Sequence, residues 1–436
     1  MEWYISASLL IGAFVFLLFL RLPIAFCFFV VSAPALYIIG GTEGFTVLSD
    51  MTWKVGVGYY LLSIPLSILL GEIMEKTEIT KDILVFMRLI LGRLPGGLLI
   101  ACIWACAGFG AGSGVSVAAA ATISKIAMPE LVKLKFNKPL MAGTLAAGGT
   151  LDILIPPSVP MVVYALLTDE SVGRLYAAGF LPGAVLSSIF SAYIIFRVWR
   201  NPSLAPKTAS VTRQEILTSL PGFVVFLLMI LIVLGTFFAG FANINESIAL
   251  GVGFAIITTL FLHRLKAKDI ADAFLGATEI TAVIILIVIG ASIFAYILTI
   301  LQFPQELTQF TLRAGLSTTA VVISMMIVGL ILGCFIDAIS ILVLVMPIFL
   351  PLAKALNIDL TWLCILMVIN LEAGLITPPV GLNLYVIQSI GSFYGLTETE
   401  TIRGVVPYVL LLVVGIVILM IFPSISTCVP NLIYGK

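Results

Sequence analysis

Charge is what this chain has least of. Only 10% of its 436 residues are Asp, Glu, Lys or Arg, and the 22 basic and 22 acidic residues cancel. No basic excess is present to hold nucleic acid. With 61% hydrophobic residues and a mean hydropathy of +1.22, the composition is that of an integral membrane protein with many spans. Histidine is nearly absent: His263 alone heads a basic loop, a place for a solvated end-of-helix residue. Cys27, Cys102, Cys106, Cys334 and Cys364 sit in apolar runs, which suits buried, reduced thiols and not a disulfide framework. Cys102 and Cys106 share a helix face, yet no His or third Cys completes a metal set. The first twenty residues carry Glu2 and no basic residue ahead of the apolar run, so they do not resemble a signal peptide and are expected to stay as a span. Finally, no Lys or Arg falls in the middle of a span.

Against that background two stretches stand out. The first, Ala146 to Ser158, reads Ala-Ala-Gly-Gly-Thr-Leu-Asp-Ile-Leu-Ile-Pro-Pro-Ser inside an apolar run long enough to cross a bilayer. Paired glycines, a carboxylate and two consecutive prolines break a helix at that depth. Backbone groups freed there cost several kcal/mol each unless protein, water or ligand satisfies them. A simple proline kink would explain one such break. The second copy, Asn370 to Asn383, repeats glycine, acid and Pro-Pro in corresponding places. Paired interrupted spans point to a transporter's binding site.

Ten crossings are expected: 4–20, 22–40, 55–75, 140–168, 175–199, 216–238, 247–262, 278–301, 361–390 and 404–424. The remaining apolar stretches, 96–121 and 321–350, are expected to be re-entrant hairpins. With the amino terminus outside, 17 of the 22 Lys and Arg fall inside, leaving Lys54, Arg174, Arg313, Lys354 and Lys436 outside. A full crossing in place of either hairpin would invert everything after it and weaken that bias. The unit of span, hairpin and broken span then occurs twice with opposite orientation, an inverted repeat in an all-α membrane protein. Residues 1–54 form N-terminal scaffold helices and 55–200 the first repeat. Residues 201–277 supply a linker and further scaffold helices, 278–403 the second repeat and 404–436 the C-terminal helix. Thr77 to Arg93 and Pro304 to Leu316 have the pattern of interfacial amphipathic helices, either plain linkers or arms bracing a moving domain.

Several residues in these units can carry chemistry. The first hairpin tip alternates glycine and serine, Gly108-Phe109-Gly110-Ala111-Gly112-Ser113-Gly114-Val115-Ser116, which lets backbone groups turn toward an ion. Close helix packing explains the following alanines but not that density of glycine and hydroxyl. In the second hairpin Asp337 and Ser340 offer hard oxygen ligands suited to Na⁺. Asp152 and Glu372 are ligands or caps of interrupted half-helices. Glu72, beside Glu75 and Lys76, reads as interfacial. Thr150, Ser158, Thr377 and Asn383 flank the breaks. Half-helix N-termini can hold an organic anion without arginine.

Over essentially its whole length the sequence resembles the large permease subunit of tripartite ATP-independent periplasmic (TRAP) transporters, the DctM-like family. The motifs that carry the resemblance are Gly110 to Gly114, Leu154-Ile155-Pro156-Pro157-Ser158, Gly333 to Asp337 and Leu375 to Asn383. The resemblance implies an elevator-type, Na⁺-driven importer of organic acids in a bacterial inner membrane, not an enzyme. Its partners would be a separate small membrane subunit of about four spans (DctQ-like) and a periplasmic substrate-binding protein (DctP-like). It implies Na⁺ near Gly110, Ser113, Gly149, Thr150 and Pro156, and near Gly333, Asp337, Ser340, Gly374, Thr377 and Pro378. Substrate would be met by Ser113, Gly114, Ser116, Ser158, Thr377 and Asn383. Asp152 departs from the family, which commonly has glycine there. Two other readings compete. A stand-alone Na⁺/dicarboxylate symporter would need no binding protein. A proton-translocating respiratory subunit would need mid-span Lys and His that this chain lacks.

Overall fold

The computed structural model describes residues 3–20, 22–208 and 211–435; Glu2, Arg21 and Lys436, used above for orientation, lie outside them. Every regular element among the described residues is helical. Apolar α1 (Trp3–Phe19) and α2 (Ile24–Gly40) lead into α3 (Glu43–Gly56), an amphipathic helix between the expected spans 22–40 and 55–75. Its three charges and polar residues give no spanning signal, and at 14 residues it is too short to stand out. The expected span 55–75 is a 3₁₀ turn, Tyr59–Leu62, followed by α4 (Ser63–Lys76). Gly56 and Gly58 stop helix growth ahead of it, so α4 alone is only about 21 Å long against a hydrocarbon core of about 30 Å. Amphipathic α5 (Ile79–Leu91) follows.

The first hairpin consists of α6 (Gly97–Ser113) and α7 (Ser116–Lys133). Its second arm runs past the expected end at 121, since no chain-reversing residue appears before Lys135, with φ 61°. The first broken helix is α8 (Lys138–Gly149), a 3₁₀ turn at Asp152–Leu154 and α9 (Val159–Thr168), bent by 43°. Next come α10 (Val172–Arg200), α11 (Arg213–Phe238) and α12 (Ile244–Phe261). Capping boxes at Thr212/Glu215 and Asn243/Glu246 fix where the last two begin. A single helix, α13 (Ala267–Ile300), runs through the expected boundary at 277/278, and α14 (Phe303–Arg313) lies after it.

The second hairpin consists of α15 (Thr318–Gly333) and α16 (Ala338–Ala355), and the second broken helix of α17 (Leu360–Leu375) and α18 (Leu382–Ser392). The chain closes with α19 (Glu398–Ile421) and a short α20 (Ser424–Tyr434), so that the expected C-terminal helix 404–436 is broken at Phe422 and Pro423.

Helices α10, α11, α12, α13, α16 and α19 are each long and apolar enough to cross a membrane, and the bent α8–α9 pair makes a seventh by the same measure. Of these, α16 lies in a stretch expected to be re-entrant. The apolar helices α1, α2, α6, α15 and α17 are shorter. Exposed Leu231, Leu275, Val283, Leu410 and Ile421 turn outward from the long helices, the reverse of a water-soluble surface. The buried residues concentrate on α6, α8, α9 and α17. Packing crosses between the halves: α7 lies on α18, α16 on α9, and α8 on α19. At the last contact Gly143 and Gly404 bring two backbones together, and the Thr144 and Tyr408 hydroxyls meet at 2.7 Å.

Candidate functional site

Each hairpin tip closes onto one helix break. At the first, Gly110 packs against the Asp152 backbone, where a Cβ would come within 2.6 Å of the Asp152 Cα. Gly114 turns the chain with φ 60°, and its carbonyl accepts from Val159 N–H at 3.4 Å. Ser113 Oγ contacts both oxygens of Asp152 at 3.0 Å, so this acid is held by the tip and does not simply cap a half-helix. Thr150 donates to the Ala147 carbonyl at 2.6 Å, while Ser158 caps α9 by accepting from Met161 N–H. The Pro156–Pro157 bond in this break is cis.

The second tip repeats the plan with different chemistry. Gly333 and Gly374 approach so closely that a Cβ on Gly374 would lie 2.5 Å from the Gly333 Cα. The Cys334 carbonyl accepts from Val380 and Gly381 N–H at 3.3 Å each, spanning the cis Pro378–Pro379 turn. Asp337 accepts from Ser340 N–H at 2.9 Å and from its hydroxyl, so it caps α16 from within its own turn. Thr377 Oγ donates to the Ala373 carbonyl at 2.5 Å.

Of the residues expected to hold Na⁺, Gly110 and Ser113 meet the first break at Asp152, and Gly333 meets the second at Gly374. Asp337 and Ser340 bond to each other, Gly149 lies beside Ser116, Thr150 and Thr377 each bond back to their own helix, and Pro156 and Pro378 are the first residues of the two cis pairs. What joins the halves is Ser116, at the start of α7. Its hydroxyl donates to Glu372 Oε2 at 2.7 Å and accepts from Asn383 Nδ2 at 2.7 Å. Gly149 lies beside this link, where a Cβ would be 3.2 Å from Asn383 Nδ2. Asp152 and Glu372 are fully buried, and among the described residues neither carboxylate pairs with Lys, Arg or His. Nor do the described residues hold three His, Cys, Asp or Glu grouped as for a metal ion. Five cysteines are buried and Cys428 is exposed, all as free thiols. Oxygen ligands and buried negative charge suit a hard monovalent cation. The sequence singled out Ser116, Glu372 and Asn383 separately; their junction spans more than 250 positions and has no local signal.

An all-helical chain with apolar spans and hairpin tips seated in broken helices is a membrane transporter in architecture. The solved structure of the Alcanivorax borkumensis YdaH transporter has the same overall fold, with a TM-score of 0.55 at 13% identity, covering 88% of this chain and 90% of that one. The family model described as the tripartite ATP-independent periplasmic transporter, DctM component, matches residues 11–425, and the chain belongs to that family. It is 36% identical to the C4-dicarboxylate TRAP transporter large permease protein DctM of Pseudomonas aeruginosa, over 86% of each chain. It is also 28% identical to the sialic acid TRAP transporter large permease protein SiaM of Vibrio cholerae, over 96% of this chain and 97% of that one.

Proposed function

We propose that the chain is the large subunit of a Na⁺-coupled importer of an organic acid anion in a bacterial inner membrane. A C4-dicarboxylate or sialic acid is the substrate class, as in the names of the relatives. A periplasmic binding protein delivers it, and a small membrane subunit of about four spans completes the permease. The observation that carries the coupling is the pair of buried carboxylates, Asp152 and Glu372, held by tip serines and with no basic partner among the described residues. Such charge is costly at membrane depth unless a cation neutralises it. Na⁺ then binds at both tip-and-break clusters, where carbonyls and hydroxyls supply further oxygens, and substrate meets Ser113, Gly114, Ser116, Ser158, Thr377 and Asn383.

The order α4 to α10 recurs as α13 to α19: helix, amphipathic helix, hairpin, broken helix, long helix. Reciprocal packing of α7 on α18 and α16 on α9 supports reading these as inverted repeats. The hairpins and broken helices form the moving elevator body, and the remaining long helices its scaffold.

The test is uptake into proteoliposomes holding this chain and its small partner, with labelled succinate or sialic acid. Binding protein and an inward Na⁺ gradient are each added or omitted. The expected result is uptake that needs both. Uptake needing Na⁺ alone identifies a stand-alone symporter and overturns the tripartite reading, and uptake indifferent to Na⁺ overturns the coupling.

A further inference from the structure

We infer that the cleft beside the turn between α5 and α6 binds the headgroup of an anionic phospholipid. The inference is independent of the transport reading above. The cleft encloses about 590 Å³, a volume within the usual range of ligand pockets. One wall is the turn Arg93-Leu94-Pro95-Gly96 with the start of α6, and the other is the end of α10 with the linker up to Val211. Gly96, with φ 73°, lets the walls meet: a Cβ there would lie 2.7 Å from Ile194 Cγ2 of α10. The linker is pinned in its turn by Asn137 N–H, which donates to the Leu204 carbonyl at 2.9 Å.

Segments 86–100 and 194–211 carry Arg88, Arg93, Arg197, Arg200 and Lys207 but no Asp or Glu. Of these, Arg88, Arg93 and Lys207 line the cleft. Arg88 pairs with Glu130, whereas Arg93 and Lys207 are exposed and in no ion pair among the described residues. Glu215, close enough to feel Arg88, is turned to its own cap, accepting from Thr212 N–H and Oγ at 2.7 and 2.8 Å. Helix α6 begins at the cleft without a side-chain cap, so its positive end adds to the same potential.

The apolar mouth singles out a lipid. Trp199 is 73% exposed, and Leu89 and Leu94 are exposed beside the arginines. Aromatic, aliphatic and basic side chains exposed together belong to a membrane interface. A phosphodiester there meets an arginine fork and a lysine point charge, and its acyl chains leave over the apolar rim. A zwitterionic headgroup would bring its own ammonium against the same cations, so the anionic class is selected. Bound in the cleft, the lipid bridges the α5–α6 turn and the linker that leads to α11.

The experiment is titration of phosphatidylglycerol into the delipidated full chain, read by native mass spectrometry. Saturable binding is expected, tighter than that of phosphatidylcholine and not displaced by equimolar inorganic phosphate. Arg93→Gln and Lys207→Gln are each expected to weaken it about fivefold, roughly 1 kcal/mol per cation. Arg93→Lys, which keeps the charge, is expected to recover most of the loss. Arg200→Gln removes an exposed cation outside the cleft and is expected to leave the affinity unchanged. Equal losses in Arg200→Gln and Arg93→Gln would overturn the site in favour of diffuse surface charge. Phosphatidylcholine binding as tightly would overturn the headgroup recognition, and displacement by phosphate would make this a site for free anions. Absence of saturable phosphatidylglycerol binding by wild type would overturn the proposal outright.

Discussion

Adding one methyl group at Gly374 should separate the second tip from its break. The new Cβ would lie 2.5 Å from the Gly333 Cα, 2.7 Å from its carbonyl carbon and 3.1 Å from its carbonyl oxygen. All three are backbone atoms, so no side-chain rotation relieves the clash. Carbon atoms pack best at roughly 3.5–4.0 Å, so the two backbones must part by about an ångström. Overpacking of this kind costs about 1–3 kcal/mol. Gly253 supplies the control: it lies inside α12, with nothing within 4 Å of where its Cβ would stand. There alanine should stabilise by about 0.5–1 kcal/mol, because glycine is the poorer helix former. Thermal unfolding of both variants in the same detergent, at one scan rate, checks this, since large proteins often unfold irreversibly. The expected result is a lower Tm for Gly374→Ala and an unchanged or higher one for Gly253→Ala. The contact would be refuted by a wild-type Tm in Gly374→Ala, or by an equal loss in both.

Asp337→Asn separates two roles that Asp337→Ala would confound, since asparagine caps a helix about as well as aspartate. If the carboxylate ligates Na⁺, Tm should hold while the Na⁺ concentration for half-maximal uptake rises. An unchanged Na⁺ dependence would make Asp337 a cap only. At the start of α19, Glu400 accepts from Thr397 N–H and Oγ at 2.9 Å each, and the backbone bond foremost holds its carboxyl below the usual range. A depressed folded value means that its stabilisation is present above the ordinary carboxylate pKa and is lost as pH falls through the folded one. Glu400→Gln should therefore show a Tm deficit at neutral pH that closes in acid. Thr397→Ala should cost about 0.5–2 kcal/mol through loss of the cap.

The sequence showed most clearly what interrupts a pattern. Pro156-Pro157 and Pro378-Pro379 within apolar runs located both breaks, and the glycine-serine alternation from Gly108 to Ser116 located the first tip. Amphipathic α5 and α14 were legible because charge and apolar side chains alternate at helical spacing. Short elements left weaker traces: α3 and α20 are too brief and polar to show in a search for spans. The partners of Asp152 were hidden for another reason. Its neighbours argue for a cap, yet the fold delivers Ser113 from another helix. Glu372 likewise meets Ser116 only through tertiary packing, which pattern and propensity do not encode.

Helix α5 is fastened on two sides. Arg88 pairs with Glu130 of α7 at 2.8 Å, tying it to the first hairpin. On its other side Asp82 pairs with Arg264, and the Phe86 ring stacks on Phe223 of α11 with centroids 4.1 Å apart. Gly222 leaves room for that ion pair, since any side chain there would meet the Asp82 carboxylate. On the elevator motion proposed above, a hairpin moving relative to α11 and α12 could not keep both fastenings on a rigid rod of 13 residues. The helix must then pivot on one of them. Because α5 packs along α6 of the hairpin as well as on α11, the fastening that yields decides whether α5 travels with the hairpin or stays with α11.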